Sequence, residues 1–316
     1  MRLGESNYNK IYTFMKRRDF MKSSALTAAG LAVAGQGFSN PFHNAFTPRP
    51  LGVQLFTLFG KIEQDVPGNL KKIKDLGYTE LESAFSTKPG YYGMKPMEFL
   101  KLTKDIGLNW RSHHVLGTPF VPPPNMKLPP DLANMPKPRD LKTSAQELVD
   151  EVASSGVKYL VCASIDISSG DNVKSAIEIL NKAGEAATKA GLTLCYHNHD
   201  KEFQAVDGIV PYDLFLSQLS PNIKMELDLA WVSKAGLDAV EIFKKNPGRF
   251  PLWHVKDFDK DFKTLLPVGQ GVIDFKRIFA AADTAGLQYA FVEHDMPPDA
   301  FASITASINY LKTINK

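Results

Sequence analysis

Four apolar runs toward the C-terminus constrain the fold most, because each one ends on residues that bind metals or move protons. They read LTLCYHNHD (192–200), IKMELDLAW (223–231), FPLWHVKDFD (250–259) and YAFVEHD (289–295). The strongest candidates within them are His197, Asp228, His254 and Glu293. Their spacings of 31, 26 and 39 residues (197 to 228, 228 to 254, 254 to 293) each approximate one strand–helix unit. Helical patterns fill the intervals, as at 233–245 and 273–285. Strands that alternate with helices imply a parallel sheet. In a closed (β/α)8 barrel the C-terminal strand ends meet at one mouth, where the active site lies. Four strands could therefore bring two imidazoles and two carboxylates to one point, which reads as a divalent-metal site.

The preceding chain keeps the same rhythm. Strand-like runs at 51–58, 79–85, 108–115 and 157–165 complete a set of eight, and helical patterns occupy 69–76, 96–106, 143–155 and 172–190. Gly77, Gly107, Gly156, Gly191 and Gly286 stand where helices end and strands are about to begin. The expected architecture is a single (β/α)8 TIM barrel over 51–316. One connection departs from this pattern. The proline-rich stretch from Val115 to Arg139 leaves a strand end, so it is expected to wall or cover the mouth.

The N-terminus reads as an address. Lys16-Arg17-Arg18-Asp19-Phe20-Met21-Lys22 precedes an uncharged small-residue run from Ser23 to Gly37. This order of basic region, short apolar region and small residues resembles a twin-arginine export signal, which implies a periplasmic protein. The apolar run is shorter than the roughly 20 residues a membrane span needs, so no stable membrane anchor is expected. The expected division is a signal over 1–37, a linker over 38–50 and the barrel beyond. Residues 1–35 hold six Lys/Arg and two Asp/Glu, a balance of +4 against +3 for the whole chain, which leaves the remainder near −1. A nearly neutral barrel is not a nucleic-acid surface. Cys162 and Cys195 fall in neighbouring strand runs, where free buried thiols are expected and a periplasmic disulfide is the alternative.

Strand periodicity sorts the remaining candidates. His197 and His199 share one strand face with Asn198 on the other, and Glu80 and Glu82 likewise share a face. Asp228 closes Glu226-Leu-Asp, and an inward acid needs a partner because a buried charge is costly alone. His254, Lys256 and Asp257 stand at the equivalent place on the seventh run, and Glu293 on the eighth. Mixed nitrogen and oxygen donors suit Mn²⁺, Zn²⁺, Co²⁺ or Fe²⁺ better than Ca²⁺.

Together, His197-Asn-His-Asp-Lys-Glu-Phe203, Glu-Leu-Asp-Leu-Ala-Trp, His-Val-Lys-Asp, Val-Gly-Gln-Gly-Val-Ile-Asp-Phe (268–275) and Val-Glu-His-Asp resemble the xylose isomerase-like TIM-barrel superfamily. The similarity is greatest to its sugar phosphate isomerase/epimerase members, including the inosose dehydratase-like and ketose 3-epimerase-like enzymes, and covers the chain after the signal. It implies one divalent ion, Mn²⁺ first, with Zn²⁺, Co²⁺, Fe²⁺ or Mg²⁺ as alternatives. In the epimerases the ion is held by carboxylates of strands five and eight, an Asp of strand six and a His of strand seven. The last three map onto Glu293, Asp228 and His254, while His197 stands in place of the first glutamate. In those enzymes the two ligand glutamates also exchange protons with the sugar, and here only Glu293 keeps that dual role.

The resemblance thus implies proton abstraction alpha to a sugar carbonyl. Isomerisation or epimerisation follows if the proton returns, and elimination from a 3-keto-glycoside or an inosose is the alternative. Glu293 is the first candidate base, with His199 and Lys256 as donors to sugar oxygens. A second acid/base is sought among Glu82, His113, His114, His199 and Glu202, and His113, His114, Trp231 and Glu202 are expected to contact the substrate. The AP-endonuclease branch needs a further histidine where Trp231 stands, which argues against a DNA substrate. A non-catalytic sugar-binding barrel is disfavoured by the retained Glu293. The expected partner is a small-molecule sugar, and a homo-oligomer is compatible with the chain.

Overall fold

The computed structural model describes residues 49–121 and 135–314. The proposed export signal and the middle of the proline-rich loop lie outside the described residues. Eight parallel strands close a barrel: β1 (Leu51–Gln54), β2 (Glu80–Ser83), β3 (Asn109–Leu116), β4 (Tyr159–Ser164), β5 (Thr193–His197), β6 (Lys224–Asp228), β7 (Leu252–Val255) and β8 (Tyr289–Val292). Each pairs with its sequence neighbour, and β1 pairs with β8 to complete the ring. Helices fill the crossovers, among them Val66–Leu76, Pro96–Ile106, Leu141–Ser154 and Gly170–Lys189, and Ala300–Ile314 ends the described chain.

Two-residue alternation builds two cores. Leu160, Leu194, Leu227, Trp253 and Val292 point outward into the large core beneath the helices. Tyr159, Val161, Cys195, Leu252 and Phe291 point inward and form a separate apolar cluster inside the barrel. Phe291 sits where β1 has no side chain, since a Cβ on Gly52 would stand only 2.4 Å from its ring. Cys162 belongs to the outer core and Cys195 to the inner one, and both are free thiols. The disulfide alternative therefore fails: neighbouring strands aim the two sulfurs to opposite sides of the sheet.

The strands are shorter than the apolar runs. β6 stops at Asp228, whose Oδ1 accepts from the N–H groups of Ala230 and Trp231, both at 2.9 Å, and starts the helix Leu229–Lys234. An N-cap acceptor of this kind ends the extended backbone at once. The helical pattern at 233–245 is divided between this helix and Ala239–Lys245, and that at 273–285 between Phe275–Phe279 and Ala282–Ala285. Arg49, in the expected linker, donates to the Leu287 carbonyl and pairs with Asp283. No helix among the described residues is long and apolar enough to cross a membrane.

Candidate active site

Two residues beyond Cys195, Leu252 and Phe291, on the same inward faces, stand His197, His254 and Glu293. One step up the barrel, the interior thus changes from apolar to ionisable. Asp228 of β6 lies beside His254 in the sheet register. Since its Oδ1 is committed to the helix cap, Oδ2 is left for the interior, 3.2 Å from Lys256 Nζ. His254 reaches in two directions. Its Nδ1 lies 2.6 Å from Glu293 Oε2, and its Nε2 lies 2.5 Å from Glu82 Oε1. Lys256, almost fully enclosed, sits 2.7 Å from Glu293 and 3.0 Å from Asp295.

One donor atom each from Asp228, His254 and Glu293 lie within 4.8 Å of one another. A second such group, just below, joins His114, His197 and Glu226 to the same His254. His197 spans both, with Nδ1 3.2 Å from Glu226 and Nε2 4.0 Å from Asp228. The two groups share an imidazole.

Burial and neighbouring charge set the protonation of this cluster. Burial pushes the Asp228 carboxyl up to about 6. Burial, reinforced by Glu82, pushes Glu226 up to about 7. For His114, burial is outweighed by Glu82 and Glu226, so it rises to about 9. His254 and Lys256 rise well above their usual values because surrounding carboxylates overcome the cost of burial. Glu293 moves the other way: burial would raise it, but Lys256 and His254 hold it ionised. His197, buried among other cationic groups, stays neutral, and burial carries His199 down to about 4.

Five carboxyls (Glu82, Glu226, Asp228, Glu293, Asp295) therefore face three cationic groups (His114, His254, Lys256). Buried Asp228 Oδ2, Glu226 Oε1 and His197 Nδ1 have no hydrogen-bond partner among the described residues. Excess buried carboxylate with orphaned donor atoms fits a divalent cation, since buried charges are otherwise paired. The residues present fit the ion that the sequence implies.

Above the cluster opens a cavity of about 570 Å³. Its lining combines His114, His197, His199, Lys256, Glu293 and Asp295 with Phe56, Phe85, Leu116, Phe120 and Met135. Phe120 and Met135 belong to the two described ends of the proline-rich stretch, and those ends border the mouth.

The other sequence candidates lie elsewhere. Glu82 is completely buried below the cavity rather than at its edge, because β2 places it level with His254. His113 faces outward, tilted against Tyr91 and edge-on to Trp110 with Nδ1 2.8 Å from Ser83 Oγ, as alternation requires once His114 points inward. Glu202 accepts from the Tyr196 hydroxyl (2.7 Å) and the His199 backbone N–H (3.0 Å), so it secures the turn after β5. Trp231 packs on Phe258 and near His199, beside the cavity lining rather than in it. Asp257 accepts from the N–H groups of Gly269 and Gly271, both at 2.9 Å, and holds that loop. A Cβ on Gly271 would stand 2.2 Å from the Phe258 carbonyl, which explains the second glycine of Val-Gly-Gln-Gly.

Glu226 and Gln54 were not singled out from the sequence. Glu226 stands two residues before Asp228, a signal that the strand period could have supplied. Gln54 Nε2 donates to Glu82 Oε1 at 2.8 Å across β1 and β2, where the parallel register sets the two residues side by side.

Residues 70–314 match the protein family described as Xylose isomerase-like TIM barrel. A solved sugar phosphate isomerase/epimerase from Parabacteroides distasonis is 28% identical, covering 87% of this chain and 97% of that one with a TM-score of 0.68. A solved L-ribulose 3-epimerase shares the fold at 15% identity and a TM-score of 0.62, covering 84% of this chain and 94% of that one. An inosose dehydratase of Geobacillus thermodenitrificans is 27% identical over 135 residues, 37% of this chain. The matched stretch spans less than half of that relative, at 44%.

Proposed function

Because this chain belongs to the xylose isomerase-like TIM-barrel family, we propose that it is a metal-dependent sugar isomerase or epimerase that removes a proton alpha to a carbonyl. The observation that carries this reading is the convergence of Asp228, His254 and Glu293 within 4.8 Å beside a cavity lined by Lys256 and His199. These three side chains, with His197 as a fourth, would hold one divalent ion, which supplies Lewis-acid polarisation of a substrate oxygen. Glu293 is kept ionised by Lys256 and His254, which supplies an unprotonated carboxylate at the cavity but weakens it as a base, so its proton acceptance would depend on substrate drawing Lys256 toward the developing oxyanion. Lys256 remains a buried cation and places fixed positive charge where the carbonyl oxygen becomes negative. His199 stays neutral near pH 7 and offers a hydrogen bond to a sugar hydroxyl. Among the described residues that line the cavity, Asp295 is the other carboxylate, and it is paired with Lys256 at 3.0 Å, so the proton would return through a different kind of group or not return.

That asymmetry, with the apolar residues in the cavity lining, favours a second reading: elimination from a keto-glycoside. Phe56, Phe85, Leu116, Phe120 and Met135 would then receive an apolar leaving group. Incubation with candidate keto-sugars in D₂O tests both readings. Deuterium at a substrate carbon with retained skeleton supports isomerisation or epimerisation, and release of a glycosidic group supports elimination. Turnover with no exchange or release at any carbon would exclude proton abstraction.

The sequence Arg17-Arg18 extends the proposal to export by the twin-arginine route. Replacing both residues with Lys is expected to leave the protein in the cytoplasm, and unchanged periplasmic delivery would contradict it.

A further inference from the structure

Glu82 lies below the cavity and is not part of its lining, yet its carboxylate meets side chains of three other strands. Oε1 receives Gln54 Nε2 at 2.8 Å from β1, approaches His114 Nε2 at 3.1 Å from β3, and meets His254 Nε2 at 2.5 Å from β7, across the ring. Gln54 donates its amide N–H to Glu82 Oε1, so that oxygen serves as an acceptor. His254 Nε2 meets the same oxygen and is the nitrogen that carries a hydrogen toward it, and the opposite nitrogen, Nδ1, points at Glu293 and the ion position.

We propose that Glu82 is the positioning residue of the ion site: it fixes the tautomer and ring angle of His254 so that Nδ1 serves as the ligand. Gln54 and His114 in turn fix Glu82, so the relay runs from β1 and β3 through β2 to β7. A metal-bound histidine whose other nitrogen donates to a carboxylate is oriented and made more basic, and loss of such a partner typically weakens metal affinity about 10–100-fold. Glu82 was expected from the sequence to act on the substrate as an acid or base, and its enclosure assigns it this other task. The inference rests on the ion site proposed above.

Two variants separate the roles. Glu82→Gln keeps shape and one acceptor while losing charge, and Glu82→Met removes the acceptor. Divalent-ion affinity is measured by titration calorimetry, His254 protonation by ¹⁵N NMR of imidazole-labelled protein, and ligand geometry by the visible spectrum of the Co²⁺ form. With Zn²⁺ bound, the wild type is expected to show His254 protonated on Nε2 alone. Affinity should fall roughly 10-fold in Glu82→Gln and toward 100-fold in Glu82→Met, with the His254 signal losing its single-tautomer signature in Glu82→Met. The Co²⁺ bands should keep their positions, because no ligand is lost. Bands that shift as they do on losing a ligand would make Glu82 a ligand and overturn the positioning role. Unchanged affinity and tautomer in both variants, with normal uptake by the wild type, would overturn it while leaving the ion site intact. A folded wild type that takes up no ion would remove the site and this role together.

Discussion

The lower and upper layers of the barrel interior are built by the same strands, two residues apart, and have opposite chemistry. Below, Tyr159, Val161, Cys195, Leu252 and Phe291 fill the ring with apolar side chains. Above, Glu82, His114, His197, Glu226, Asp228, His254 and Lys256 fill the same space with ionisable ones that are just as enclosed. The lower layer gains from burial, because removing apolar area from water stabilises by about 25 cal/mol per Å². The upper layer bears the desolvation of charge and recovers it only through pairing. In this barrel stability and chemistry occupy adjacent storeys, and the upper one has the donor atoms to hold a cation.

The largest expected effect lies in the upper layer and concerns rate. Glu293→Gln removes the carboxylate that would accept the proton, and deuterium exchange into substrate should fall by about 10³-fold or more. Thermal unfolding should change little, and ion content must be measured alongside to separate loss of base from loss of ligand. Full exchange in this variant would erase the distinction between the storeys.

The reverse pattern is expected below. Phe291→Ala should cost about 3–5 kcal/mol of stability, read as a lowered unfolding midpoint, while ion stoichiometry in the folded protein stays at the wild-type value. Loss of ion binding at unchanged stability would show that the layers are not separate.

Adding a divalent ion at about 100 times its dissociation constant should stabilise the wild type by about 2.7 kcal/mol. The gain should depend on pH in a defined direction. Asp228 and Glu226 are raised by burial to about 6 and about 7. A carboxyl with a folded pKa above its unfolded one favours folding below the unfolded value, and that advantage is lost as pH rises through the folded value. The ion-free protein should thus lose this contribution between about pH 4 and 7. The ion competes with the same protons, so its stabilisation should be small at pH 5 and full by pH 8. A gain independent of pH would place the ion away from these carboxyls.

The smallest effect sharpens the same point. Asp228→Asn keeps an acceptor for the Ala230 and Trp231 caps but carries no charge. Without ion it should be more stable than wild type by about 1–2 kcal/mol above pH 6 and equal at pH 4, and it should gain little from added ion. Chemical denaturation at the two pH values decides this, and a destabilised variant at pH 8 would mean that the charge is fully compensated by the protein alone.

Much of this was legible in the chain. The β-strand period placed His197 and His199 on one face, and the unit length between His197, Asp228, His254 and Glu293 implied that their strands end at one mouth. For His113 and His114 the period says only that they face opposite ways; a register shift beside Arg111 breaks the alternation in β3 and turns His114, not His113, inward. Nor could Glu202 be placed: its carboxylate is engaged by Tyr196, which alternation turns outward, and by a backbone N–H of a turn whose path no pattern reveals.

Local periodicity and residue chemistry were enough for the eight-unit barrel and for the donor types at its mouth. Tertiary structure alone decided which donors share a point and which stand beneath them. Glu82 and His254 are 172 residues apart along the chain, and their 2.5 Å contact exists only because closing the ring brings β2 and β7 to face each other across its interior. That closure converts a carboxylate that the sequence offers as an acid or base into the support of a ligand.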